Sequence, residues 1–348
     1  MEEVLTFDDI SIEPGYSEVL SRDNCKLVSR VTKNHTLQIP ILSSPMDTIT
    51  GWKMALKLRE SGGLGIVHRF NTIEEQVEMM DTIQEAMGLT DYKIPIGAAV
   101  GATGDFLERA QELSQVPGLY VIMIDVAHGH HLHVKRALDE LKRTLPASVD
   151  IIAGCVATYE GARDLCEWGA DAIRVGVGNG SLCETRIRTG IGIPQVTALM
   201  NCIEAADDWG IPVIADGGMK TPGDVAKALA LGADVASIGS LFAGTRETPG
   251  PIKKIGIWPN EQLFKQYQGS TSRASYNDRG AEEKYIEGNS MAIPYRGTLD
   301  RILDDILAGI RSSMSYVGAN NIEEFWSNST IVKVTPAGQL EAEPHLLK

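Results

Sequence analysis

The segment Gly176-Val177-Gly178-Asn179-Gly180-Ser181-Leu182-Cys183-Glu184-Thr185-Arg186 places a thiol on a glycine-rich loop, with a hydroxyl two residues further on. Its glycines free the backbone for positive φ and for close approach to a ligand or ion. A cysteine held this way is a nucleophile once it is a thiolate, which loop amides or a nearby positive charge can stabilise. Taken alone, the same pattern also fits a glycine-rich turn with a small buried cysteine. The company it keeps separates the two. Ala215-Asp216-Gly217-Gly218 and Ile238-Gly239-Ser240 are small-residue turns whose amides can face a phosphate, and Asp216 can accept hydrogen bonds from a ribose diol. Asp125 ends another apolar run and is a second ribose acceptor or a buried structural acid. His128, His130, His131 and His133 follow it with no cysteine or carboxylate at ligand spacing, which argues against a metal there. Cys25, Cys155, Cys166 and Cys202 lack any comparable setting and read as structural.

Something must bring these turns together. Eight short apolar runs are present: Ile39-Ser43, Leu64-His68, Ile96-Val100, Leu119-Asp125, Ile151-Gly154, Ala172-Val175, Pro212-Ala215 and Val235-Gly239. They are continuous rather than alternating, as parallel strands buried on both faces are. Between them lie helix patterns at Thr72-Met87, Gly104-Ser114, His133-Thr144, Tyr159-Trp168, Pro194-Trp209 and Thr221-Leu231. Eight βα units predict an α/β fold, a closed (β/α)8 TIM barrel. An open doubly wound sheet is disfavoured, because the glycine-rich pattern is not on the first βα turn. In a barrel the chemistry sits at the C-terminal ends of the strands, with phosphate after strands seven and eight. The Asp216 and Gly239 turns fall there, and Cys183 follows strand six on the same face. From about 245 to 296 the chain is polar and too long for an ordinary loop, so it reads as a flap, with a disordered insertion as the alternative. A final helix spans Thr298-Ser313, and residues 1–348 read as a single catalytic barrel domain.

A net charge of −14 argues against nucleic-acid or membrane surfaces as partners but not against a small anionic substrate. The first residues have no basic or apolar leader pattern, and no apolar run reaches transmembrane length. Five widely spaced cysteines, without a CxxC, fit reduced thiols and a cytoplasmic location.

Leu5-Thr-Phe-Asp-Asp9, Ser43-Ser-Pro-Met-Asp-Thr48, Asp125-Val-Ala-His-Gly129, the loop ending at Cys183, Thr189-Gly-Ile-Gly-Ile-Pro-Gln195, Ile214-Ala-Asp-Gly-Gly218, Ile238-Gly-Ser-Leu-Phe-Ala-Gly244 and Arg311-Ser-Ser-Met-Ser-Tyr-Val-Gly-Ala319 resemble the IMP dehydrogenase/GMP reductase family in order and spacing. The resemblance implies a homotetrameric barrel that takes a purine nucleotide and a nicotinamide cofactor. It implies that Cys183 attacks purine C2 to give a covalent thioimidate, with Thr185 and Glu287 handling the proton and ammonia. It puts nucleotide contacts at Met46, Ser181, Asp216, Gly217, Gly218, Gly239, Ser240 and Tyr267, and a cofactor contact at Asp125. A monovalent cation, K+, would sit on the carbonyls of Gly178, Gly180 and Cys183. Two activities share this apparatus. A dehydrogenase oxidises IMP with NAD and hydrolyses the thioimidate to XMP; a reductase expels ammonia from GMP and reduces the thioimidate to IMP with NADPH. Three features favour the reductase. Asn71 to Ile94 has no room for a pair of CBS domains, the flap tip from Gly269 to Gly288 is short, and it has no adjacent Arg-Tyr pair resembling the dehydrogenase's water-activating dyad. The expectation is therefore NADPH-dependent reductive deamination of GMP. The alternatives are an IMP dehydrogenase without CBS domains and an inactive nucleotide-binding homologue. Asn179 and Glu184 depart from the family pattern, and the tail Glu341-Leu347 resembles that of a dehydrogenase.

Overall fold

The computed structural model describes residues 3–87, 95–257, 260–283 and 285–342. The expected turn before Ile94, part of the flap and the end of the tail lie outside those residues. Eight parallel strands close into a barrel: Ile41–Ser43, Leu64–Val67, Ile96–Val100, Leu119–Asp125, Asp150–Val156, Ala172–Val175, Val213–Asp216 and Val235–Ile238. Each lies beside the next in the chain, and the eighth lies beside the first. Strands one and seven start later than their apolar runs. Pro40 and Pro212 stand just before them, and proline has no N–H to give to a ladder.

Alternation along the strands sorts the side chains. In strand six, Ile173 and Val175 join the layer beneath the helices. Ala172 instead joins Leu42, Ile66, Met123, Ile152, Ile214 and Val235 inside the barrel. Val31 and Leu37, from a hairpin pairing Ser29–Arg30 with Thr36–Leu37, belong to the same interior cluster and plug the barrel's N-terminal mouth. Two residues further along the strands, the same parity reaches Ser44, Asp125, Arg174, Asp216 and Ser237, all lining one cavity. The apolar interior thus turns polar where the strands end.

The outer helices are Trp52–Glu60, Ile73–Met87, Phe106–Leu113, Leu132–Thr144, Tyr159–Glu167, Gln195–Asp207, Pro222–Ala230 and Leu299–Tyr316. Thr221 shows how the ends are fixed: it caps Asp224 N, the Asp224 carboxylate caps Thr221 N in return, and Pro222 fills the first turn. Trp52–Glu60 was not singled out by the sequence pattern. At the opposite mouth, two Gly-Ala-Asp turns tie neighbouring strands. Asp171 accepts from Ile151 N (2.7 Å) and Asp234 from Val213 N (2.8 Å). Burial pushes the Asp234 carboxyl up to about 6.

The described part of the flap holds regular structure. Lys253–Ile255, Gln262–Gln268 and Ser290–Pro294 form a three-stranded antiparallel sheet, and Arg273–Asp278 is a helix. Buried Lys265 fastens the sheet to the barrel by donating to the carbonyls of Thr245 (3.1 Å) and Thr248. Ile10–Glu13 pairs antiparallel with Thr330–Lys333. Among the described residues no helix is long and apolar enough to cross a membrane.

Candidate active site

A cavity of about 740 Å³ opens at the C-terminal ends of the strands and is lined by every residue named from the sequence as a site candidate. Its wall begins at Gly176, where strand six ends. A Cβ there would stand 1.9 Å from the carbonyl oxygen of Asp216, and φ is 150°. Only glycine lets the cysteine loop leave against the end of strand seven. The loop is then pinned by its own unusual residue. Asn179 donates to Gln195 Oε1 (2.6 Å), whose amide reaches Val175 O (2.8 Å), and Asn179 O accepts from Gly218 N (3.0 Å).

Cys183 is the one half-exposed cysteine; the other four are buried, and burial pushes their thiols up, Cys166 to about 11. The Cys183 thiol donates to Thr185 Oγ1 (3.2 Å), and Thr185 donates to Glu287 Oε2 (2.6 Å). Loop and flap are stitched around this relay. Cys183 bridges Gly288, Glu184 N donates to Glu287 O (2.6 Å), and Asn289 N donates to Leu182 O (2.9 Å). The Glu184 carboxylate pairs with Arg188 (2.7 Å), one turn along the short helix Thr185–Thr189. This partner draws the extra acid away from Cys183.

Ser181 and Tyr267 share a hydrogen bond (2.9 Å) across the cavity, and burial raises the Tyr267 phenol against the opposing effect of Ser181. Met46, Gly217, Gly218, Gly239 and Ser240 complete that side. Asp125 and Asp216 both bond to Arg174 (2.8 and 2.9 Å), which sequence reasoning missed. The signal was present: an arginine in a buried apolar strand has to find anions. On the flap side the sequence offers Arg273, Tyr276, Arg279 and Tyr285 without an adjacent Arg-Tyr pair, and the contacts appear only in the fold. Arg279 stacks on Phe70 (4.6 Å) and on Tyr276 (5.0 Å), while Arg69 covers Phe70 at 4.9 Å. Ser275 donates to Asp47 (2.9 Å), which also accepts from Gln268 (3.1 Å), so the flap helix is docked on the loop after strand one.

Arg69 also lines a second cavity of about 250 Å³, with Thr103, His128, His131 and His133. His130 turns elsewhere, to Asp164 (2.9 Å). Among the described residues no group of three or more His, Cys, Asp or Glu is placed to hold a metal. The Gly180 carbonyl accepts from Cys183 N (3.0 Å), leaving one lone pair for a cation.

Comparison with known proteins gives this geometry its relatives. The chain is 37% identical to an inosine-5'-monophosphate dehydrogenase of Cryptosporidium parvum over 388 residues, covering 98% of this chain and 94% of the relative. It is 36% identical to that of Borreliella burgdorferi over 400 residues, covering 99% and 97%. It is 31% identical to that of Nitrosopumilus maritimus over 474 residues, covering 99% and 98%. Residues 4–345 match the IMP dehydrogenase / GMP reductase domain. With the Cys183 loop, the strand-end turns and the flap in one cavity, the chain belongs to the IMP dehydrogenase/GMP reductase family, oxidoreductases that act on purine nucleotides.

Proposed function

We propose that this protein oxidises IMP with NAD and hydrolyses the Cys183 thioimidate to XMP, rather than reducing GMP as the sequence alone suggests. The observation that carries this is the flap pair. An adjacent Arg-Tyr dyad is missing from the sequence, yet the helix Arg273–Asp278 and its C-cap bring Arg279 over Tyr276, three residues away, and both line the cavity with Cys183. Burial lowers the Arg279 pKa against the pull of Asp47 and Tyr276, with Arg69 adding to the lowering. That is the direction a guanidinium needs in order to accept a proton from water. The names of the relatives support the same branch.

In this reading the phosphate of IMP lies against the amides of Gly217, Gly239 and Ser240, with Met46, Ser181, Gly218 and Tyr267 beside it. The ribose hydroxyls donate to Asp216. The Cys183 thiol passes its proton through Thr185 to Glu287, and the thiolate so formed adds to C2. Asp125 would hold NAD, Arg69 and the histidines of the second cavity offer it further contacts, and the cofactor would supply the oxidant that takes the C2 hydride. Arg279 and Tyr276 then direct water to C2 and Cys183 departs. The carbonyls of Gly178, Gly180 and Cys183 suit K+, which would steady the loop.

Two parallel incubations test the assignment. IMP with NAD should give multiple turnovers of reduced cofactor and XMP, and GMP with NADPH should give little ammonia. Sustained release of ammonia and IMP from GMP would restore the reductase.

A further inference from the structure

Arg174 is 8% exposed, in a strand otherwise made of Ala172, Ile173 and Val175. Its guanidinium donates from Nη1 to Asp125 Oδ1 (2.8 Å) and from Nε and Nη2 to Asp216 Oδ2 (each 2.9 Å). Asp125 ends strand four and Asp216 ends strand seven, so one side chain from strand six serves acids on both sides of it. Strand five lies in between, and Gly154 makes the passage. A Cβ at that position would stand 2.7 Å from Arg174 Cβ and 2.5 Å from Arg174 O. Each carboxylate therefore has one oxygen tied to the guanidinium. The other has only a long contact: Ser44 Oγ lies 3.5 Å from Asp216 Oδ1, and Arg69 Nε lies 3.7 Å from Asp125 Oδ2. Both acids line the cavity.

A single buried cation shared by two anions cannot respond to one of them alone. If one acid loses its charge, the guanidinium's charge falls wholly on the other, which becomes a poorer acceptor for a hydroxyl. We propose that Arg174 is a positioning residue that couples the nucleotide and dinucleotide halves of the site. It holds the free oxygen of each acid ready for a ribose and passes a change at one acid to the other. This rests on the reading of Asp216 as the nucleotide's ribose acceptor and Asp125 as the dinucleotide's.

The test measures IMP binding calorimetrically, with no dinucleotide present. Asp125→Asn should weaken IMP binding by roughly fivefold, the scale of a modest coupling between sites, although Asp125 belongs to the other half. In an Arg174→Lys background one ammonium cannot fork to both acids, so the same change should cost less than about twofold. An IMP affinity untouched by Asp125→Asn overturns the proposal. So does an equal loss in both backgrounds, which would mean that Asp125 meets IMP directly. Should Arg174→Lys fail to fold, the reciprocal measurement replaces it. Asp216→Asn at saturating IMP should raise the dinucleotide KM with a smaller change in kcat, and an unchanged KM overturns the coupling. Asp216→Ala isolates the premise: if it leaves IMP binding intact, the ribose assignment itself is wrong.

Discussion

Cys183 sits where a loop and a flap meet, its thiol donating to Thr185 and Thr185 donating to Glu287. Two predictions belong to this relay. Cys183→Ala should abolish turnover while leaving IMP binding largely intact, since the phosphate and ribose contacts lie on other strands; steady-state activity in that variant would refute the covalent route. Thr185→Val removes the hydroxyl between thiol and carboxylate, so kcat should fall by roughly 10²-fold, the low end of proton-transfer effects, with little change in the Kd for IMP. A kcat within a few-fold of wild type would mean that the proton leaves another way. That Cys183, Asp125 and Asp216 share one cavity was legible in the sequence because each stands at a strand end or in a small-residue loop that follows one, and Glu287 was reached only through the family resemblance. Arg279 and Tyr276 were visible in the flap sequence but not as a pair, because they are not adjacent in the chain and only a helix turn makes neighbours of residues three apart. Arg174 was half legible. Its strand parity matches that of Asp216 in the barrel, but its anions cannot be named before the topology is known.

Elements set how these residues are presented. The flap helix is docked through Ser275 on Asp47, whose other carboxylate oxygen is buried without a hydrogen-bond partner. Ser275→Ala should weaken closure by about 1 kcal/mol. If hydrolysis needs the closed flap, XMP formation should slow about fivefold while the first burst of reduced cofactor keeps its rate. Equal slowing of both phases in stopped flow would place the flap outside the hydrolytic step. At the opposite mouth, Asp234 is a second test. Its carboxyl is raised from 3.8 to about 6 by burial, with the Val213 amide and Arg30 opposing. A raised acid favours the folded state in its protonated form. Its contribution is thus fully present below pH 3.8 and is lost as pH rises through about 6, a change of about 2–3 kcal/mol. Asp234→Asn should flatten the denaturation midpoint across that window, and an unaltered pH slope would show that Asp234 is ionised throughout. The barrel strands were legible because they are apolar on both faces. The flap sheet was not: its first strand, Lys253–Ile255, is exposed along its length, so burial writes no period into it.

For the whole molecule, the count of βα units was enough to infer closure, since eight consecutive units leave no edge strand over. Assembly is a separate matter. Ile252, Ile255, Ile257, Leu263 and Met291 are exposed on or beside the flap sheet, Leu263 and Met291 on one face and Ile255 on the other, apolar side chains that copies of this chain would cover on forming the expected homotetramer. Sedimentation should give the mass of four chains, and Ile255→Lys with Leu263→Lys should reduce it; a wild-type monomer would dismiss the tetramer. The pairing of Ile10–Glu13 with Thr330–Lys333 was beyond sequence reading, because neither short segment predicts a partner so far along the chain. That ribbon has a mechanical consequence. Its register sets Ile10 opposite Lys333 and Glu13 opposite Thr330, so the ends leading to the two termini emerge on the same side. A force pulling the termini apart would load the rungs one at a time, as in opening a zipper, rather than shearing all four together. The ribbon should therefore peel at low force, ahead of the barrel, once the segment whose Leu5 carbonyl accepts from Val196 and Thr197 has come away. In an optical trap this would read as a small early extension, separate from the rupture of the barrel.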